Sequence, residues 1–451
     1  MTLGIMSEET MFRVVSTSGT VRTGVLNLPN RQAIKTPHYL ALASRGAIPH
    51  LTQDNVSKHT NICGAYMAAE DCTPILKYNP PDGTSRLRAY TATPDNHVLV
   101  LGARRSPPVP SPGASTDSQM SIMTAFGFTK LQDTAFRNLT SSLNPDIIVG
   151  LGDIPYGYYK VSYKKIDKIT NRTAKWMQAH VDERAVAKKE QGELPLLYAP
   201  LLPISAESQR YYIEHLEDMV QDIQGLTLYN TITLGDLPEQ LKALPRLGLT
   251  EPNNPRAVLQ DVSQGIDILT LPFLSTITDA GVALDFRFPV SGPLPEEPLP
   301  LGVNMWETRH ATDVSPLRKD CPCYACTNHH RAFLQHLLSA KEMLAWVLLQ
   351  IHNHQIMDEF FAGIRESISR GTLEQDIADF ERFYEPELPE SNGRGYQFKS
   401  EGPNERKRNS APFTVYKANP DKIVDKGSVP VPGPDTVAED LERVGFAEKI
   451  E

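Results

Sequence analysis

Three of the five cysteines in this 451-residue chain stand within six residues of one another, in the string Asp320-Cys321-Pro322-Cys323-Tyr324-Ala325-Cys326. Cysteines this close on one tight turn do not make a disulfide framework; they point to a reducing compartment and a bound metal. Thiolate suits zinc because it is soft, anionic and accepts tetrahedral geometry. The turn presents three corners of a tetrahedron, so the fourth ligand has to come from elsewhere. Residues 331–370 read as one long helix, with Leu334, Leu337, Leu338, Leu344, Leu348 and Ile351 at helical spacing on one face. His329, His330, His336, His352 and His354 are the candidate fourth ligands. His352 lies on the face marked by Leu348 and Ile351, near the end of the apolar run. Together Cys321, Cys323, Cys326 and His352 would hold one structural zinc ion. A full Cys3His set leaves no open position for water or substrate, so it adds folding energy and no chemistry. The competing reading, a set of buried free cysteines, rarely shows such clustering.

The rest of the chain alternates between two patterns. Apolar runs at 36–43, 146–151, 195–201, 225–228 and 266–269 read as strands, and amphipathic stretches such as 205–224 and 255–264 as helices. Strand–helix alternation without an obvious break predicts a parallel α/β fold, and a (β/α)8 TIM barrel fits the length. Residues 105–118, rich in Pro, Ser and Gly, read as a loop; residues 386–436 read as loop or partly disordered chain. Hydrophobic residues make up 40% and charged ones 22%, which predicts a folded soluble protein. No apolar run reaches the ~18 residues needed to span a membrane. The first ten residues lack the basic-then-apolar order of a secretory signal and are too acidic for a transit peptide.

The net charge of −9 disfavours non-specific binding to nucleic acid. Two basic stretches run against it. One spans Lys160 to Lys175, with Lys164, Lys165, Lys168 and Arg172 against Asp167; the other holds Arg394, Lys399, Arg406, Lys407 and Arg408. On charge alone, a solvated surface explains both.

Twenty-five residues separate Cys326 from His352, and Asp313, Pro316, Asn328, Arg331-Ala332-Phe333-Leu334, His336-Leu337, Glu342, Asn353 and Arg365 stand around them. This arrangement resembles the zinc region of the tRNA-guanine transglycosylase family, also called queuine tRNA-ribosyltransferases, whose pattern is C-x-C-x2-C followed by His after the same interval. Upstream, Thr36-Pro37, Arg45-Gly46-Ala47 and Leu51-Thr52 are similar to the family's opening strand and turn. Asp146-Ile147-Ile148-Val149 is similar to the strand that carries a substrate-binding Asp, with Arg172 and Trp176 on the helix after it. Pro245-Arg246, Gly248 and Gly265-Ile266-Asp267 are similar to the approach to the nucleophile. The resemblance covers residues 10–385. It implies a (β/α)8 barrel with a zinc-binding subdomain, about residues 305–370, inserted near its C-terminal end. Residues 386–451 are left as a loop-rich, partly basic extension.

Members of the family exchange guanine for a 7-deazaguanine base at the tRNA wobble position. The resemblance implies a carboxylate that attacks ribose C1′ to form a covalent intermediate, as in a retaining glycosidase, and a second Asp that moves protons. Here the chain departs from the pattern. The nucleophile string, G-V-D-x-F-D in the family, reads Gly265-Ile266-Asp267-Ile268-Leu269-Thr270, so Thr270 takes the nucleophile's place. A neutral hydroxyl cannot offset an oxocarbenium-like charge. The string D-S-G-G-F-Q is absent, its neighbourhood being occupied by residues 98–118. Tyr229 and Asn230 stand where the family has a Gly-Gly pair in the substrate pocket. At the base-recognition Asp, Gly152 aligns without a gap and Asp153 follows, and a one-residue shift on a strand turns a side chain to the other face.

These departures imply a subunit with no catalytic and no cofactor-binding residues. Such a subunit would join a catalytic subunit in a heterodimer, with the contact around the zinc subdomain and long helix. It would dock tRNA through the complex, its basic stretches facing phosphates, which position without reading sequence. The resemblance also implies a place in the cytoplasm and, peripherally, at the mitochondrial outer membrane. Two other readings stay open. One is an active transglycosylase with Asp267, Asp279 or Asp285 as a displaced nucleophile; the other is a zinc-stabilised barrel with no tRNA role.

Overall fold

The computed structural model describes residues 11–81, 84–110, 115–156, 161–191 and 194–389. The basic stretch Arg394–Arg408, and all but the first four residues of the C-terminal extension, lie outside the described residues. Three antiparallel strands open the fold: β1 (Phe12–Ser18), β2 (Val21–Leu26) and β3 (Ile34–Thr36). Barrel strands β4 (His38–Leu42), β5 (Gly64–Ala68) and β6 (Val98–Gly102) follow. A hairpin, β7 (Gln119–Thr124) and β8 (Gly127–Gln132), then interrupts the series. The barrel resumes with β9 (Ile147–Val149), β10 (Leu196–Leu201), β11 (Gly225–Leu228), β12 (Arg246–Gly248) and β13 (Ile268–Thr270). The eight strands close on one another, all parallel, with β13 paired to β4.

A helix follows each barrel strand, the βα unit that parallel pairing requires. These are α1 (Gln53–His59), α2 (Arg86–Thr91), α3 (Asp133–Leu143), α4 (Tyr163–Gln191), α5 (Arg210–Asp218), α6 (Glu239–Lys242), α7 (Pro255–Ser263) and α8 (Pro272–Asp279). The zinc region comes after the eighth unit is complete. It contains β14 (Val282–Leu284), β15 (Gly302–Asn304), α9 (Tyr324–Asn328), α10 (Arg331–Ser339), α11 (Met343–Arg370) and α12 (Leu373–Phe383).

The expected strands are all present, and their apolar runs are continuous because both faces are buried. Leu40, Val100, Val149, Tyr198, Leu247 and Ile268 fill the lumen. Their neighbours Tyr39, Ala41, Ile148, Leu197 and Leu269 face outward into the helix layer. The lower end of the lumen is closed by the opening sheet. Arg22 on β2 donates from Nε and Nη2 to the Asp267 carboxylate at 2.9 and 2.6 Å, and the Arg246 backbone N–H donates to the same group at 2.8 Å. The guanidinium also reaches the carbonyls of Lys242 and Leu244 at 2.7 and 2.6 Å, so this buried pair has its polar groups satisfied.

The expected single helix over 331–370 is two helices. It breaks at Ala340-Lys341-Glu342, where Lys341 adopts a left-handed backbone with φ of 58°. The Glu342 N–H donates to the Leu337 carbonyl and the Lys341 N–H to the Leu338 carbonyl, both at 2.9 Å, which is a Schellman ending. The ending usually carries glycine, and the lysine here hides it. Leu337 and Leu338 still pack into the core, so the leucine spacing continued across the break. Lys341→Gly should raise stability by about 0.5–1 kcal/mol, the left-handed strain of a side chain less the added freedom of glycine when unfolded. A urea melt with an unchanged slope and a higher midpoint is the expected result; a lower midpoint would mean that the lysine side chain contributes more than the strain.

Candidate metal centre and barrel mouth

The cysteine turn is shaped by local backbone chemistry. Asp320 stands in the left-handed region at φ 62°, and Cys323 caps α9 by accepting from the Cys326 N–H at 3.3 Å. Cys321 and Cys323 are buried and Cys326 is half-buried. Into this turn α11 directs His352, which is fully buried. Its Nδ1 lies 3.7, 3.5 and 3.3 Å from the sulfurs of Cys321, Cys323 and Cys326. Tetrahedral zinc with ordinary Zn–S and Zn–N bonds sets a ligand-to-ligand edge of ~3.5 Å, which these distances match. The four ligand atoms all lie within 4.8 Å of one another, so the group could hold a metal ion such as zinc.

The tautomer is set from behind. His352 Nε2 donates to the Leu284 carbonyl at 2.8 Å, which turns Nδ1 toward the three sulfurs. Burial lowers the basicity of His352, but hydrogen bonds to Cys321 and Cys326 outweigh it and raise the pKa to about 9. The other candidate histidines are engaged elsewhere. His354 lies 3.0 Å from the Tyr39 hydroxyl, His330 caps α10 at the Phe333 N–H, His329 stacks on Phe333 at 4.9 Å, and His336 is exposed.

The C-terminal end of a (β/α)8 barrel is where such folds place chemistry. Here Thr270, the last residue of β13, is fully buried and its hydroxyl lies 3.3 Å from the Ser106 hydroxyl. The cavity at this mouth measures about 10 Å³, room for roughly one water, against the ~300–1,000 Å³ of ligand pockets. Three tyrosines and an arginine fill it. Tyr66 projects up the lumen and donates to the Arg104 carbonyl at 2.7 Å. It can do so because residue 102 is glycine; a Cβ there would lie 2.1 Å from the Tyr66 hydroxyl. The Arg104 guanidinium lies over the Tyr156 ring at 5.1 Å, and Tyr156 meets Tyr229 edge-on at 6.2 Å. Tyr229 therefore crowds the pocket as its sequence position suggested, whereas Asn230 is not among the lining residues.

Gly152 lines the mouth and Asp153 does not. Asp153, in the loop past β9, turns to α4, where it pairs with Arg172. The three carboxylates considered as displaced nucleophiles also lie elsewhere. Asp267 is pinned under the barrel by Arg22, and Asp279 is held by His50 at 2.5 Å. Asp285 sits beside the cysteine–histidine group, where burial raises its pKa against the charges of His352 and Arg318. One carboxylate does line the mouth: Glu251, with a left-handed backbone at φ 58° and a pKa raised by burial to about 7. Nothing singled it out in the sequence beyond its place just past a barrel strand.

In the basic stretch on α4, Arg172 is occupied by Asp153 and Lys175 lies 3.7 Å from Asp117. Lys164 and Lys168, four residues apart and exposed on one face, make no ion pair among the described residues.

Comparison with known proteins agrees with this architecture. Residues 17–386 match the family model described as queuine tRNA-ribosyltransferase. A Schizosaccharomyces pombe protein named queuine tRNA-ribosyltransferase accessory subunit 2 is 32% identical over 394 residues, covering 85% of this chain and 87% of the relative. Proteins of the same name from Danio rerio and Aedes aegypti are each 24% identical, covering 78% and 80% of this chain and 93% and 89% of their own lengths. With the family model spanning β2 and β3 of the opening sheet, the whole barrel and the cysteine–histidine group, the chain belongs to the queuine tRNA-ribosyltransferase family.

Proposed function

We propose that this chain is the non-catalytic accessory subunit of a queuine tRNA-ribosyltransferase: it pairs with a catalytic subunit and helps to dock tRNA while guanine is exchanged for queuine. The observation that carries this reading is the barrel mouth. Glycosyl exchange needs a carboxylate about 3–3.5 Å from C1′. Thr270 offers a buried neutral hydroxyl at that place, and Tyr66, Tyr156, Tyr229 and Arg104 fill the space a base would need. The names of the relatives point the same way.

The working unit on this reading is residues 10–385, with the zinc subdomain at 305–370 and a C-terminal extension after it. One zinc ion, held by Cys321, Cys323, Cys326 and His352, is structural and keeps a partner-binding surface in shape. Support for that surface comes from exposed apolar side chains in this region. Val314, Met343 and Leu344 are exposed; His329 stacks on Phe333 and meets Tyr324 edge-on, with His59 of α1 against Tyr324 at 4.3 Å. Lys164 and Lys168 face tRNA phosphates. The chain works in the cytoplasm, peripherally at the mitochondrial outer membrane; no helix among the described residues is long and apolar enough to cross a membrane.

Base exchange separates this reading from its rivals. The purified chain should not incorporate labelled guanine into tRNA, and adding the catalytic subunit should restore exchange. A double variant, Thr270→Ala with Glu251→Gln, should leave exchange by the complex within about twofold; exchange by the chain alone, or a hundredfold fall in the complex, would mean that this mouth does chemistry. Cys323→Ser should lower zinc content and melting temperature together, because the ligands bind metal only in the folded state. A variant that loses zinc yet melts like the parent would contradict a structural ion. Phe333→Asp should weaken association with the catalytic subunit by at least about tenfold at unchanged zinc content, as expected of a buried aromatic anchor. Undiminished association would move the interface elsewhere.

A further inference from the structure

The other end of the barrel holds a cavity that the reading above does not use. It lies beneath the N-terminal ends of β9 and β10, next to α4, and measures about 680 Å³, inside the ~300–1,000 Å³ range of ligand pockets. Met11, Leu28, Val181 and Leu194 give it apolar walls. No aromatic ring lines it, so a nucleobase would have nothing to stack on.

Its charges are unevenly matched. Asp146 is neutralised by Arg31 and Arg88, both at 2.8 Å. Arg184 of α4 is half-buried and makes neither an ion pair nor a hydrogen bond among the described residues. It also lines an adjoining cavity of about 310 Å³. There Arg137 is matched by Asp133 at 2.9 Å and Glu183 at 2.5 Å, and His180 is neutral, its pKa lowered to about 3 by burial and by Arg184 and Arg137. Burial disfavours the charge on Arg184, and of the carboxylates only Asp222 acts on it, from beyond ion-pair distance. Lys188, one turn further along α4, is exposed and also makes no ion pair among the described residues. A half-buried guanidinium with no ion pair among the described residues, in a hollow of mixed lining where Asp222 stands beyond ion-pair distance, is a polar group in want of a partner.

We propose that this cavity binds an aliphatic carboxylic acid, with the carboxylate on the Arg184 guanidinium beside Lys188 and the acyl chain against Met11, Leu28, Val181 and Leu194. The site is independent of the barrel mouth, so it stands or falls apart from the accessory-subunit reading.

Calorimetric titration of the full chain with octanoate, below its micelle-forming concentration, tests it. Saturable one-to-one binding is expected. Octan-1-ol, with the same chain and no charge, should bind about tenfold more weakly or not at all, and Arg184→Gln should lose octanoate affinity by the same factor, the worth of a charge-assisted hydrogen bond. Ala185→Trp, on the exposed side of α4 at the cavity rim, should obstruct octanoate by volume and serves if Arg184→Gln fails to fold. Absence of saturable binding to the parent chain, equal binding of octanol, or full octanoate affinity in a folded variant would overturn the proposal.

Discussion

Three consecutive side chains on α11 hold the two halves of this protein together. His352 meets the three cysteines with one ring nitrogen and the Leu284 carbonyl with the other. Asn353 accepts from the Leu284 N–H at 2.9 Å and donates to Thr278 and to the Val282 carbonyl, tying α8 and β14 to the helix. His354 turns the other way, to the Tyr39 hydroxyl on the first barrel strand, which in turn donates to Asp358 at 2.9 Å. With Tyr39 donating to Asp358, His354 must carry its proton on Nδ1, and Nε2 then accepts from Gln350 at 3.1 Å. His352, Asn353, His354 and Tyr39 each find partners in this buried set, while Gln350 Oε1 and Asp358 Oδ2 are left without one. About three turns further along, Arg365 donates to the Pro37 carbonyl at 2.7 Å. Between them, Gly363 lets the helix approach the Phe288 carbonyl, where a Cβ would come within 1.8 Å. Moving α11 would therefore disturb the metal-ligand geometry and the β4 seam of the barrel at once.

A closed barrel mouth is compatible with an intact fold because the two depend on different layers. Closure rests on the lower and middle lumen, on Leu40, Val149, Leu247 and Ile268, and on the Arg22–Asp267 pair beneath them. The mouth residues sit on top of that stack. A bulky Tyr66, accommodated by Gly102, adds buried area and a satisfied hydroxyl where a functional pocket would need empty space and exposed carboxylates. Filling a site in this way adds apolar burial at ~25 cal/mol per Å², so stability and loss of the pocket run in the same direction.

Much of this was legible in the residues. Barrel strands buried on both faces appear as short unbroken apolar runs, and the cysteine spacing with His352 marked the cluster. What escaped did so for physical reasons. The break at Lys341 uses a left-handed residue that is not glycine, and the leucine periodicity on either side continues across it. The hairpin of β7 and β8 lies where the chain departs from the family pattern, so neither resemblance nor a strict alternation marked it. Arg22 and Asp267 are 245 residues apart and meet only once the barrel has closed. Asp153 was left open by the sequence, and its pairing with Arg172 in the loop past β9 is what turns its carboxylate away from the mouth.

The two ends of the barrel now bear different constraints. At the C-terminal end the side chains interlock: Arg104 touches Tyr66 through its carbonyl, Tyr156 through its guanidinium and Ser121 through a donated hydrogen bond at 2.5 Å. Substitutions there should couple, since each side chain is part of another's packing. At the N-terminal end the charge network around Asp146 is self-contained, and Arg184 is left outside it. Changes at Arg184 should thus be nearly additive with changes at the mouth, as for sites that share no partner. A fold that keeps its lumen packed can accept a closed mouth at one end and a hollow beside the other, because the lumen stack and the Arg22–Asp267 pair beneath it hold the strands together.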